Sequence, residues 1–159
     1  MQKMFEQFKT AYQSFASIAQ SLQSTLLLLV RLYWGWQFAQ SGWGKLHRLD
    51  QVAQFFTTLG LPAPGFTALF VGLVECVGGI LFALGIGARL VSLVLFLNMT
   101  VAFWTADREA FGSILSDPGK FYIADPYTFW FAALLILVFG PGFLAIDSLV
   151  SRWLNPGRS

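Results

Sequence analysis

The sequence is poor in charge, in thiols and in imidazole, and each shortage closes a class of function. Of its 159 residues only 11% are Asp, Glu, Lys or Arg, against about 25% in soluble domains. Too little charge is present to clothe a water-exposed surface, which argues against an ordinary soluble domain. Cys76 is the only thiol, so neither an internal disulfide nor a CxxC pair can form. With His47 as the single histidine and three methionines, there is no Cys/His cluster for zinc or iron–sulfur and no axial pair for haem. No metal site is expected. A net charge of +2 without a basic stripe leaves no footprint for nucleic acid. GxSxG, Walker and Rossmann patterns are missing too, so any redox role has to borrow its cofactor.

What the chain has in quantity is apolar surface, with 56% hydrophobic and 17% aromatic residues. Four apolar stretches, at 25–41, 66–86, 90–106 and 127–146, approach the roughly 20 residues that cross a hydrocarbon core of about 30 Å. The fold class expected is all-α, an integral membrane four-helix bundle with amphipathic interfacial helices. The first span is read as retained, because Gly42-Trp43-Gly44-Lys45 after it offers no small-x-small cleavage pattern. The organisation expected is a surface helix over 1–23, a membrane domain over 24–153 and a short tail over 154–159. Phe5, Phe8, Tyr12, Phe15, Ala19 and Leu22 recur at spacings of three and four. Such a stripe suits a helix lying on the bilayer or one docking on another subunit. A second amphipathic helix is expected after the first span, with Asp50 as N-cap, Val52, Phe55, Phe56 and Leu59 on its apolar face, and Gly60 and Pro62 as its stop. Asp125 as N-cap and Pro126 at the first helical position would start the fourth span. Lys and Arg near the span ends number five on one side and four on the other, which points to both termini in the cytoplasm.

Charge inside an apolar span costs about 2.5 to 3.5 kcal/mol at mid-bilayer, so Arg31 and Glu75 require an explanation. Ala68, Gly72, Cys76, Gly79, Ala83 and Gly87 share one arc of the second span with Glu75 at its edge, and Arg31, Gly35, Phe38, Gly42 and Lys45 share one side of the first. Small residues in a row let two helices approach closely. An antiparallel pairing of these faces puts Arg31 and Glu75 about 6 Å apart in depth, and an intramembrane ion pair is expected. It serves either to orient the two helices or to work, with Glu75 exchanging protons or Arg31 donating to a quinone-like carbonyl. Arg31, Trp34, Gln37, Glu75 and Asn98 are the candidates for a quinone-sized pocket, Asn98 also suiting a helix–helix hydrogen bond. Arg89 and Asp147 are a candidate pair at the inner surface. Asp107, Glu109, Asp117 and Asp125 lie in a polar stretch without calcium-loop spacing and are expected to be solvated.

The order LLLVRLYWGWQFAQSGWGKL (27–46), GLP (60–62), VGLVECVGGILFALGIGARL (71–90) and FGPGFLAIDSL (139–149) resembles the DoxX family. Arg31, Gly35, Gly42, Lys45, Glu75, Gly78, Gly79, Gly85, Arg89 and Asp147 fall where that family has its characteristic residues. The resemblance implies a bacterial or archaeal four-helix protein of the cell (inner) membrane, similar to the small membrane subunit of thiosulfate:quinone oxidoreductase. It implies no intrinsic cofactor, a borrowed quinone, and as partners the lipid bilayer with other subunits or further copies of the chain. The expected role is an accessory or anchoring subunit of a membrane redox assembly. The alternatives are a non-catalytic structural subunit and a proton or small-solute conduit using Glu75.

Overall fold

The computed structural model describes residues 2–142 and 144–154, and every regular element among them is an α-helix. In chain order these are α1 (Gln2–Leu46), α2 (Leu49–Thr58), α3 (Pro64–Leu84), α4 (Ala88–Thr105), α5 (Arg108–Gly112), α6 (Pro118–Ile123), α7 (Pro126–Phe139) and α8 (Ile146–Leu154). By length and composition α1, α3 and α4 can each cross a membrane. The tail expected from 154 lies, beyond Leu154, outside the described residues.

The first helix is longer than its parts suggest. Neither glycine nor proline occurs before Gly35, so nothing interrupts the backbone hydrogen bonding between residues 2 and 46. No break marks the boundary drawn at residue 23. At 1.5 Å per residue α1 reaches about 67 Å, more than twice the thickness of a hydrocarbon core. Among the described residues its first buried one is Leu27, where the Gly142 turn comes against Ser24 and Leu27.

Packing runs in a closed circuit: α1 against α3, α3 against α4, α4 against α7, and α7 against α1. The α1–α3 seam is the tightest. A Cβ on Gly42 would clash with the Cys76 backbone and stand 2.6 Å from the Gly72 carbonyl oxygen. One on Gly79 would stand 2.6 Å from the Gly35 carbonyl oxygen. The two small-residue faces therefore meet as their spacing indicates, and backbones touch where side chains would hold them apart.

Several element bounds differ from expectation for local reasons. The fourth apolar stretch does not run helically to 146, because Gly140 takes φ 80 and ends α7 at Phe139. Pro126 opens α7, but the Asp125 side chain makes no capping bond. The helix α2 starts at Leu49 with Arg48 in the N-cap position, so Asp50 lies in its first turn. Gly60, at φ 72, closes the turn that follows α2.

Burial is inverted relative to a soluble protein. Much of the interior is small or polar, including Ala68, Ala88, Ala132, Ala133, Ser92, Arg31 and Glu75, beside Phe38, Phe82, Phe103, Leu95 and Ile136. Leu69, Phe70, Leu73, Val77, Ile80, Leu93, Leu97 and Val101 face outward along α3 and α4. An apolar belt of that extent is the surface a lipid solvent requires.

Candidate functional site

Polar groups in the interior gather at two levels. At one end of the circuit the Arg31 guanidinium donates from Nη1 to the Pro141 carbonyl at 2.9 Å and from Nη2 to the Leu144 carbonyl at 2.9 Å. It also lies directly against Gly85. The Gly140-Pro141-Gly142 turn leaves carbonyls without helical partners, and Arg31 satisfies two of the free carbonyls around it. Asp147 completes this end. Its Oδ1 accepts from the Gly87 amide and its Oδ2 from the Ala88 amide, each at 2.8 Å, which caps α4.

At the other level, Glu75 on α3 is 2% exposed, and side chains of two other helices meet it. Lys45 of α1 forms an ion pair with Oε2. Ser41 of α1 donates to the same oxygen at 2.9 Å, and Asn98 of α4 donates from Nδ2 to Oε1 at 3.2 Å. Lys45 also donates to Ser41 at 2.8 Å. Both carboxylate oxygens are thus engaged and the charge is neutralised, as burial of an ionised carboxylate requires.

Two expected pairings are corrected by this geometry. Glu75 pairs with Lys45 instead of Arg31. The apolar run ends at residue 41, whereas α1 continues to Leu46 and sets Gly42 opposite Gly72 and Cys76. Ten residues of helix, about 15 Å, separate Arg31 from Ser41. Nor do Arg89 and Asp147 form an ion pair, since Lys45–Glu75 is the only one among the described residues. Asp147 is occupied by the start of α4, and the exposed Arg89 lies beside Gly140.

A cavity of about 310 Å³ opens beside the Glu75 cluster. Lys45, Ser41, Glu75 and Asn98 supply its polar wall. Phe55 and Phe56 of α2, Met99 of α4 and Phe129 of α7 supply apolar wall, and Asp107 and Asp125 also line it. Of the five residues expected to form a pocket, Glu75 and Asn98 line this cavity, while Arg31, Trp34 and Gln37 do not. Arg31 is at the other level. Trp34 packs edge-on against Phe129 at 5.3 Å, and Gln37 donates to the Tyr33 hydroxyl at 3.3 Å. Sequence reasoning missed Ser41 and missed Lys45 as the partner of Glu75, although Lys45 lies on the same helix side as Gly42.

Two further features define the surroundings. Phe103 stacks on Phe121 at 4.9 Å and sits near Phe111 at 5.7 Å, so α5 and α6 fold back over the ends of α4 and α7 instead of forming an open polar loop. Burial first, and the like charge of Asp125 second, hold the Asp107 carboxyl above the ordinary range. A larger groove of about 620 Å³ lies between α1 and α3, lined by Leu32, Trp36, Trp43, Cys76 and Ile80. No charged side chain lines it, and it shares no residue with the cavity.

Comparison with known proteins agrees with the sequence motifs. The DoxX family profile matches residues 26–108, just over half of the chain. The chain is 28% identical over 131 residues to a Bacillus subtilis (strain 168) protein named "Putative oxidoreductase CatD", covering 82% of this chain and 91% of that protein. No solved structure gives a significant match.

Proposed function

The chain belongs to the DoxX family, and on that premise we propose that it is a quinone-binding membrane subunit of a redox assembly, with its site in the cavity beside Lys45 and Glu75. The observation that carries this reading is the convergence of one ion pair on a buried carboxylate, two polar side chains and an apolar cavity at a single level of the helices. Pockets for small molecules are mostly apolar, measure roughly 300 to 1,000 Å³ and carry a few placed polar groups. The donor set fits a quinone. Lys45 has three N–H groups, of which Ser41 and Glu75 take two. Asn98 keeps one N–H and its carbonyl oxygen after bonding Glu75. Phe55, Phe56 and Met99 offer flat and adaptable walls for a ring and the start of a prenyl tail.

A quinone supplies a reversible acceptor of two electrons and two protons, and a partner subunit with its own redox cofactor supplies the electrons. The residues of this chain bind and move protons. With a quinone bound, Lys45 Nζ would hold a carbonyl oxygen and offer it a proton. Glu75, ionised while it holds the ammonium in place, would return a proton to Lys45 only after taking one up from water, and Asp107 and Asp125 line the cavity on the side through which that proton would enter. The relative's name as an oxidoreductase is consistent with this role.

In the same reading α7 and the turn through Ala145 complete a fourth crossing, giving a four-helix membrane bundle. It resides in a bacterial or archaeal inner membrane with both termini cytoplasmic, within an assembly of the thiosulfate:quinone oxidoreductase type. The test is quinone content. Wild type purified in mild detergent is expected to yield about one extractable quinone per chain, and the Lys45→Met/Glu75→Met double variant at least about tenfold less, equivalent to about 1.4 kcal/mol. Equal content in both, or none in the wild type, contradicts the proposal.

A further inference from the structure

Among the described residues, the amino-terminal part of α1 lines no part of the cavity and is exposed almost throughout up to Gln23. Phe5, Phe8, Tyr12, Phe15 and Leu22 are each more than 60% exposed, so their stripe is uncovered within the chain. The stripe is also longer than a surface helix needs. Positions 5, 8, 12, 15, 19 and 22 continue without a slip through 26, 29, 33, 36, 40 and 43, every one of them exposed. All but Ala19 and Gln40 are large hydrophobic residues. This is an unbroken a/d heptad with a period of 3.5 residues over the whole helix.

We propose that this stripe is the contact between two copies of the chain, in which the α1 helices run parallel as a left-handed coiled coil from the arm at residue 5 into the membrane. Three observations favour a second copy over a lipid surface or an unrelated protein. First, a strict seven-residue repeat drifts by about 20° per heptad on a straight helix, or about 100° from residue 5 to residue 40. A supercoiled partner can follow that drift and a flat bilayer cannot. Second, the arm continues the membrane-crossing part of α1 with neither glycine nor proline before Gly35, the residues at which helices bend sharply. About 33 Å of helix thus leads away from the bundle at Ser24 without a hinge to lay it on the headgroups.

Third, two copies inserted the same way present identical stripes at identical heights, the self-complementary geometry of a two-fold dimer. Charge permits it: no a or d position is charged, Lys3 and Glu6 occupy outer positions, and Lys9 at e faces a g series of Met4, Ala11 and Ile18. Area permits it as well. Aromatic side chains bury about 150 to 250 Å² each, so the four in each arm, at their observed exposure, offer roughly 800 to 1,400 Å² across two copies. A specific interface needs about 1,000 Å².

The test uses the full-length chain in native membranes with Cys76→Ser, which removes the only thiol. Under mild oxidation Phe8→Cys and Tyr12→Cys, at d and a, are expected to cross-link between chains at least about tenfold faster than Ser17→Cys at the outer f position. In nanodiscs the wild type is expected to have the mass of two chains. The Phe8→Asp/Phe15→Asp variant is expected to have the mass of one, with unchanged helical content, because both side chains are exposed within their own chain. Equal cross-linking at the three positions overturns the proposal, as does a wild-type mass of one chain or of three or more. Shielding of Phe8→Cys from a water-soluble maleimide without cross-linking assigns the stripe to lipid and also overturns it.

Discussion

Within the α1–α3 pair, Arg31 and Glu75 meet the cost of a buried charge in different ways. Arg31 commits both terminal nitrogens to backbone carbonyls of the Gly140-Pro141-Gly142 region. Arg31 lines neither the cavity nor the large groove, and the depression of about 440 Å³ that Pro141 and Asp147 border is open to the surface and does not reach it. Glu75 is met by movable side chains, Lys45, Ser41 and Asn98, and opens onto a cavity. Backbone carbonyls cannot take up or release protons, so the Arg31 level fastens a turn. Side chains with spare donors can change partners, so the Glu75 level can bind and exchange. Burial alone does not mark a working charge; the nature of its partners and adjoining space do.

The sharpest way to break this contrast is Arg31→Leu. It removes two hydrogen bonds from a charged donor, each contributing about 1.5 to 3 kcal/mol, so a loss of about 3 to 6 kcal/mol is expected, seen as a large drop in Tm or in folded yield. Arg31→Lys should recover only part of that, because an ammonium cannot span both carbonyls as a guanidinium fork does. Next is Lys45→Met, which strands the buried Glu75 charge and should cost about 3 to 5 kcal/mol. Lys45→Met/Glu75→Met should regain most of that thermal stability while still failing to hold quinone. A double variant as unstable as Lys45→Met would assign the pair to structure alone.

Asp147→Ala is expected to cost about 1 kcal/mol by uncapping α4, with quinone content unchanged. The smallest effect concerns pH. Because the Asp107 carboxyl lies above its ordinary range, its contribution to stability is present below about pH 3.9 and is lost as pH rises through the raised value. Asp107→Asn should flatten this part of the Tm against pH profile, and an unchanged profile would remove Asp107 from the account.

Much of the α1–α3 seam was legible from residue spacing. Gly35, Gly42, Gly72 and Gly79 could be placed on facing sides because helical period and residue size determine which backbones can approach. The partner of Glu75 was not legible to the same degree, because depth depends on where a helix stops, and α1 stops five residues beyond the apolar run that suggested its end. Lys45, which lies past the expected end of that span, is in fact the half-buried partner of Glu75. Asp147 misled for another reason. An acidic residue near a basic one suggests an ion pair, but two amides at the start of α4, which have no helical partner, donate to both of its oxygens and carry the partial positive charge of a helix N-terminus. The aromatic cover made by α5 and α6 has no helical or strand period across 106–125, so its contacts emerge only once Phe103, Phe111 and Phe121 are brought together by the chain's return.

The central claim, that the working charge is Glu75 with Lys45, is tested most directly by a photoreactive quinone on the purified wild-type protein, followed by mapping of the labelled residues. Saturable labelling of α2 and α4 around Phe55, Phe56 and Met99, competed by unmodified quinone, is the outcome expected. Labelling confined to the groove around Leu32, Trp36 and Ile80, or to the turn held by Arg31, would contradict it.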